Sequence, residues 1–271
     1  MWLTQEEGLN YKHSFEYSEK IFEEKTAEHE VGVYKTNTLG NTLVVDGEIC
    51  YSELDASSFG EMSVHVPMCS HKEPSEVALI GAVAPSALEL LRHKNVQCDV
   101  VELDNELISV QEKFFDAYKN FSTKFSNLQK SAIEYVRDSA DASLDIVISM
   151  QKDVAEFEAY AAHIARILKI DGLAVFETDS KMMDMSKLKE LMQTIGKSFK
   201  IVMPYRIEMP SQIGGVKTFV LASKEYHPTA DFILQRADLI DDLKFYNSDV
   251  HPAVFAMPNY IRSALKGIAK N

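Results

Sequence analysis

An α/β fold is predicted, a short N-terminal β-meander followed by a doubly wound, mostly parallel sheet. Three observations predict it: short strand patterns confined to the first 62 residues, strict alternation of strand and helix patterns after residue 63, and a closing pair of strands that can lie antiparallel. In the meander, Glu30 to Thr36 alternates apolar and polar residues, Leu39-Gly40-Asn41 signals a turn, and Thr42 to Val45 resumes the strand. Asp46-Gly47 is a hairpin turn leading into Ile49 to Ser52. A meander of this length buries little core of its own, so it should pack on the next domain or on a partner subunit. The expected domains are therefore 1–62 and 63–271.

In the second domain, Val77 to Gly81 is a continuous apolar run, as in a strand covered on both faces. Ser86 to His93 has helical spacing, Cys98 to Leu103 is the next strand, and Glu106 to Tyr118 the next helix. Ser143 to Met150 is a strand, Val154 to Leu168 a helix closed by Asp171-Gly172, Leu173 to Glu177 a strand and Met185 to Phe199 a helix. Lys200 to Tyr205 and Lys217 to Ser223 are strands joined by the loop Met209 to Gly215, and the tail from Ala230 to Asn271 reads as helical. This Rossmann-like order resembles the S-adenosylmethionine-dependent methyltransferase fold.

Composition narrows the function. The chain has 271 residues, 46% hydrophobic and 25% charged, and its 41 acids against 28 Lys and Arg give a net charge of -13. Such a field repels nucleic acid and anionic membranes and attracts cations. Cys50, Cys69 and Cys98 form no metal-ligand spacing, so no metal is expected. No apolar run is long enough to span a bilayer and the N-terminus has no basic or apolar leader pattern, so the expectation is a cytoplasmic protein.

Ligands of such sheets bind beyond the carboxyl ends of the strands. The loop Gly81-Ala82-Val83-Ala84-Pro85-Ser86 has one glycine, too few to cradle a dinucleotide phosphate. Glu102-Leu103-Asp104 ends the second strand of this sheet: a carboxylate there can take both hydroxyls of a ribose, or cap the next helix. Asp104 suits the cap and Glu102 the sugar. His29, His65 and His71 read equally as structural histidines, Glu61 as a solvated acid or one wall of a cationic pocket, and Asp153 as a cap or an amine ligand. Met182 to Met185 reads as packing.

The segment Lys25 to Val66 and the tail, with Phe245-Tyr246-Asn247-Ser248-Asp249-Val250-His251, Phe255 and Pro258, resemble the spermidine synthases, the polyamine aminopropyltransferases. With His71 to Asp104 in register between them, the resemblance covers nearly the whole chain. It implies transfer of the aminopropyl group of decarboxylated S-adenosylmethionine, a co-substrate rather than a cofactor, to putrescine, giving spermidine and methylthioadenosine. It also implies a homodimer or homotetramer formed through the meander.

By the same resemblance Glu102 is the ribose acid and His65 a substrate-contacting histidine. Glu61 is the acid beside it, Asp153 is the second acid of an Asp-Ser-Ser-Asp loop that also includes Gln151, and His29 stands in place of a glutamine. The chain departs from the pattern at several positions. Ala84 replaces the acid that holds the aminopropyl amine, Ala132-Ile133 the Asp-Gly that reads adenine, and Met150 the catalytic aspartate. Met209 and Phe59 replace tyrosines. Glu177, Glu208, Tyr205 and Asp153, near strand ends, are candidates to substitute for the lost base. The same departures also fit a catalytically silent binding or regulatory homologue, or alkyl or methyl transfer to another acceptor.

Overall fold

The structure, a computed structural model, describes residues 1–7, 11–81, 83–152, 154–178 and 185–271. Five antiparallel strands open the chain: β1 (Trp2–Glu7), β2 (Tyr11–Lys25), β3 (Glu30–Thr36), β4 (Gly40–Val45) and β5 (Glu48–Ser52), side by side in that order. Val45 pairs with Glu48 across Asp46-Gly47, whose φ values of 51° and 80° are those of a tight hairpin turn. Strands β3 to β5 lie where the sequence predicts them, and β1 and β2 are additional, although in β2 Phe15 and Tyr17 are half-buried between exposed Ser14, Glu16 and Ser18, a period-two pattern.

Helix α1 (Ala56–Ser70) follows, and the expected boundary at residue 62 falls inside it. The helix is buried on every side except at Ser57, so it has no polar stripe to betray a helical period. Gly60 and Pro67 further lower its propensity. It sits where it does because Asp55, buried at its start, accepts N–H and hydroxyl bonds from Ser52 at 2.9 and 2.7 Å and the Ser211 N–H at 2.8 Å. One carboxylate thus ties the meander to the far end of the second sheet.

The second sheet has seven strands: β6 (Glu76–Ile80), β7 (Gln97–Val101), β8 (Ser126–Leu128), β9 (Leu144–Ser149), β10 (Leu168–Thr178), β11 (Ile201–Glu208) and β12 (Val216–Ser223). Their order is β11-β12-β10-β9-β6-β7-β8, with β12 antiparallel to both neighbours as the closing hairpin requires. Chain direction across the sheet switches between β6 and β9, the crevice where doubly wound sheets bind ligands. Helices α2 (Ala84–Leu90), α3 (Asn105–Phe114), α4 (Ala132–Asp138), α5 (Phe157–Ile167) and α6 (Ser186–Ile195) connect the strands. One apolar cluster joins α1, the meander and one face of the sheet, and a second packs α4, α5 and α6 on the other face.

Some expected boundaries are corrected. Asp171-Gly172 does not close a helix: β10 begins at Leu168 directly after α5, and Asp171-Gly172 falls in an irregularity of its pairing with β9. There Gly172 leaves room for the Leu168 side chain, which a Cβ would meet at 2.9 Å. The tail is helical only in short pieces, α7 (Leu234–Asp238), α8 (Val250–Ala253) and α9 (Asn259–Ala264). Of Met182 to Met185, only Met185 lies within the described residues, half-buried at the start of α6. Among the described residues no helix is long and apolar enough to cross a membrane.

Candidate functional site

At the switch point the chain leaves β6 through Gly81, whose φ of 82° is costly for any other residue. A Cβ there would meet the Met150 carbonyl carbon and the Gln151 nitrogen, both at 3.2 Å. The loop that follows is clamped by a side chain the sequence did not single out. Gln111, on α3 and 1% exposed, accepts the Ala84 N–H at 2.9 Å and the Tyr51 hydroxyl at 3.1 Å through one oxygen. The crevice loop is therefore braced against both α3 and the meander.

The tip of β7 carries the acids as expected. Asp104 caps α3, one oxygen accepting the Glu106 and Leu107 N–H groups at 3.0 and 3.2 Å. Its other oxygen accepts the Thr26 hydroxyl. Glu102 is half-buried, and its carboxylate accepts the Asp104 N–H at 3.0 Å, which fixes its orientation. The Thr26 contact lays the turn 26–29 over this tip. His29, in that turn, is half-buried with Nδ1 2.7 Å from Asp46. Burial pushes the Asp46 carboxyl up, but the Glu30 N–H and His29 outweigh it and hold it below the ordinary range. The structure thus brings Glu102 and His29 to one junction.

Beside them the wall is apolar. Phe59, Ala84, Met150 and Met209, four of the positions where the resemblance expects acids or tyrosines, are buried in one cluster, and Ala132, a fifth, is buried in the cluster on the other face. Phe59 packs on Phe219 with ring centroids 5.4 Å apart. Polarity returns at the rim. Ser149 pairs with Phe176, so Met150 and Glu177 lie level at the sheet edge. Glu177 forms ion pairs with Lys217 and, at 3.5 Å, with Lys152, which reaches Glu48 at 2.9 Å. Gln151 is exposed and lines, with Lys152, Glu177, Thr178, Phe157 and Leu191, a cavity of about 770 Å³. Asp153 lies outside the described residues.

Two expected site residues receive a different assignment. Glu61 is 2% exposed, and its carboxylate accepts the N–H groups of Lys244, Phe245 and Tyr246 at 2.9, 2.8 and 2.8 Å. It anchors the tail and is neither solvated nor a pocket wall. His65 is fully buried, with Nε2 3.1 Å from Glu89 and Nδ1 2.9 Å from His93 Nε2. It belongs to a network joining α1 to α2. His71 lies at the opposite, amino-terminal edge of the sheet. Of the candidate replacement bases, Tyr205 is buried, donates to the Met62 carbonyl at 3.1 Å, and is raised far above its ordinary range by burial. Glu208 is exposed at the end of β11. Glu177 is the one of the described candidates placed at the crevice.

Among the described residues His71, Asp145 and Asp171 come close enough to hold a cation, within 4.8 Å of one another. Most of their acceptor atoms are engaged within the protein, one Asp171 oxygen by the Tyr226 hydroxyl at 3.2 Å. Asp145 accepts from Ser75 and Glu76 and pairs with Lys169 at 2.8 Å. Burial pushes its carboxyl up, but Lys169 and those N–H groups hold it down at about 2. His71 Nδ1 accepts the Glu73 N–H at 3.2 Å, which leaves the proton on Nε2, the nitrogen facing Asp171. The donor set does not suit a metal.

The buried histidines make stability fall in acid. Burial and the neighbouring His65 push His93 down to about 3, and burial pushes His251 down to about 4, from the ordinary 6.5. Below 6.5 the unfolded chain takes up protons that the folded chain refuses, so stability present above that pH is lost as pH falls toward 4. Each histidine contributes about 1.4 kcal/mol per pH unit, so the pair removes roughly 5 kcal/mol between pH 6.5 and 4.5. Urea unfolding across this range should show the slope, and His93→Gln should halve it. An unchanged slope would contradict the assignment.

A half-buried acid at the tip of β7, a glycine at the switch point beside β9 and an N-terminal meander packed over that tip define an α/β protein with a methyltransferase-type sheet. Residues 57–232 match the spermine/spermidine synthase domain. The chain is 27% identical to the polyamine aminopropyltransferase of Clostridium beijerinckii, over 99% of both chains. It is 30% identical to the spermine synthase of Arabidopsis thaliana, over 92% of this chain and 75% of that one. The crystal structure of the Thermotoga maritima spermidine synthase superposes with a TM-score of 0.92 at 25% identity, covering 98% of this chain and 94% of that one. A spermidine synthase in complex with the transition state analogue AdoDATO superposes with a TM-score of 0.91 at 25% identity, over 98% and 95%. The chain belongs to the spermine/spermidine synthase family.

Proposed function

We propose that the protein is an aminopropyltransferase that moves the aminopropyl group of decarboxylated S-adenosylmethionine to putrescine, giving spermidine and methylthioadenosine. The observation that carries the reading is the oriented Glu102 carboxylate at the tip of β7, next to the Gly81 crevice. It supplies acceptors for the ribose hydroxyls, and Gly81 lets the nucleoside approach the backbone. The acceptor's neutral amine attacks the carbon next to the sulfonium. A C–N bond forms, the C–S bond breaks with its electron pair going to sulfur, and the new ammonium gives up a proton. An alkyl amine with a pKa of about 10 is mostly protonated at neutral pH, so a carboxylate near the attacking nitrogen matters. Glu177 is the described carboxylate level with Met150, on the side where the acceptor would enter.

A homodimer or homotetramer formed through the N-terminal sheet is part of the proposal. Met1 and Trp2, 70% and 65% exposed at the edge strand, support it. So is a cytoplasmic setting, supported by three free thiols that burial raises to about 12, 11 and 12 at Cys50, Cys69 and Cys98.

The apolar wall of Phe59, Met150 and Met209 favours the second reading, a silent nucleoside-binding homologue. Incubation with decarboxylated S-adenosylmethionine and putrescine separates the two. The enzyme reading predicts spermidine and methylthioadenosine in equal amounts. No product at high protein concentration, with methylthioadenosine still bound, would establish the silent homologue.

A further inference from the structure

The lysines around Glu177 are unusual company for a site that takes cations. Lys217 lies near the start of β12, where Thr218 pairs with Thr178 and Phe219 with Glu177, so its side chain shares the sheet edge with the crevice. It is 4% exposed, and Glu177 is 8% exposed. Both Lys217 and Lys152 address the same oxygen of Glu177. An incoming ammonium that used this carboxylate would have to displace Lys217, and so deep a lysine has little access to water if its partner is lost. Without displacement it would sit beside Lys217 and Lys152, whose carboxylate partners Glu177 and Glu48 are already engaged, so no acid there is left to hold it.

We infer that Lys217, assisted by Lys152, is a specificity-determining residue of the acceptor site. It keeps Glu177 occupied by an internal ammonium, weakening the hold on a plain diamine and favouring an acceptor amine that carries a carboxylate. This inference rests on the aminopropyltransferase reading for its placement of the acceptor. The geometry behind it is distinct from the nucleoside site: Glu102 and Asp104 belong to the β7 tip, whereas Lys217 and Glu177 belong to β12 and β10.

The test uses putrescine and ornithine, which is putrescine with one carboxylate added. Their binding to the full chain saturated with methylthioadenosine is measured by calorimetry, and turnover is followed by methylthioadenosine release. In Lys217→Met the preference for ornithine over putrescine, as the ratio of their dissociation constants, should fall at least about tenfold, the size of one lost charge-assisted contact. Lys217→Arg should keep the wild-type ratio. Lys217→Gln, which retains a polar side chain, should behave as Lys217→Met. Unchanged methylthioadenosine affinity in each variant shows that the fold is intact. A ratio within twofold of wild type in both Lys217→Met and Lys217→Gln overturns the inference, even where turnover is normal. A shifted ratio with no turnover from the wild-type chain on either amine upholds the selectivity and overturns the transferase reading instead.

Discussion

Glu102→Gln lowers kcat/KM for the adenosyl donor by about 100-fold, chiefly through KM, and leaves the melting temperature nearly unchanged. The carboxylate is expected to accept two ribose hydroxyls, and bonds to a charged acceptor are each worth about 1.5–3 kcal/mol. The amide retains one acceptor oxygen, which can still take the Asp104 N–H that orients the side chain. The loss is therefore about 3 kcal/mol of binding, and it falls on substrate and transition state alike. Asp104→Asn separates the cap from the sugar site. Asp104 holds α3 and the Thr26 turn, so its change should cost about 1 kcal/mol of stability and much less in KM. Equal donor KM values for wild type and Glu102→Gln would remove Glu102 from the site.

The largest effect on stability is expected at Glu61. Three consecutive tail amides end on its buried carboxylate, the bonds from Lys244 and Phe245 half-buried and that from Tyr246 buried. Glu61→Ala leaves three N–H groups without their acceptor, the buried one of Tyr246 costing about 1–3 kcal/mol before relaxation and the half-buried ones of Lys244 and Phe245 less. The chain can relax by letting the tail peel away, so the net loss should be roughly 3–5 kcal/mol, or about 10 °C in melting temperature. Hydrogen exchange should locate it: the amides of residues 244–246 lose protection, followed by the region around His251. That histidine is held from the same segment by the Tyr246 hydroxyl at 2.8 Å and by stacking on Phe232 at 4.0 Å. Unchanged protection at residues 244–246 would show that Glu61 is not the anchor.

What could be read from the sequence was what depends on neighbours in the chain. The apolar runs of β6 and β9, the Asp46-Gly47 turn and the Asp104 cap are local signals, and each lies where expected, whereas β10 holds its expected apolar run but starts earlier, at Leu168. Another local signal went unused: Ser131 and Glu134 form a capping box that starts α4. Helix α1 could not be read from periodicity, because burial on all sides erases the polar face that periodicity detects. The tail looked helical on composition, but its order comes from Glu61 and other distant partners rather than from helix length.

The site divides in the same way. Glu102 was legible because a carboxylate at a strand tip has a position-specific use in this kind of sheet. Glu61 and His65 carried open readings from position, which the resemblance turned toward the substrate, and the partners the structure gives them, the tail amides and the His93–Glu89 pair, are remote in sequence. Gln111 and Lys217 carry no local mark at all. Each acquires its meaning only where the sheet brings it to Ala84 or Glu177.

The central claim is that a nucleoside occupies the crevice between β6 and β9 with its sugar on Glu102. A crystal structure with methylthioadenosine tests it most directly. The account predicts both ribose hydroxyls within hydrogen-bond distance of the Glu102 carboxylate and the thioether turned toward Met150 and Glu177. A nucleoside bound elsewhere, or a Glu102 side chain that makes no contact with it, would contradict the account.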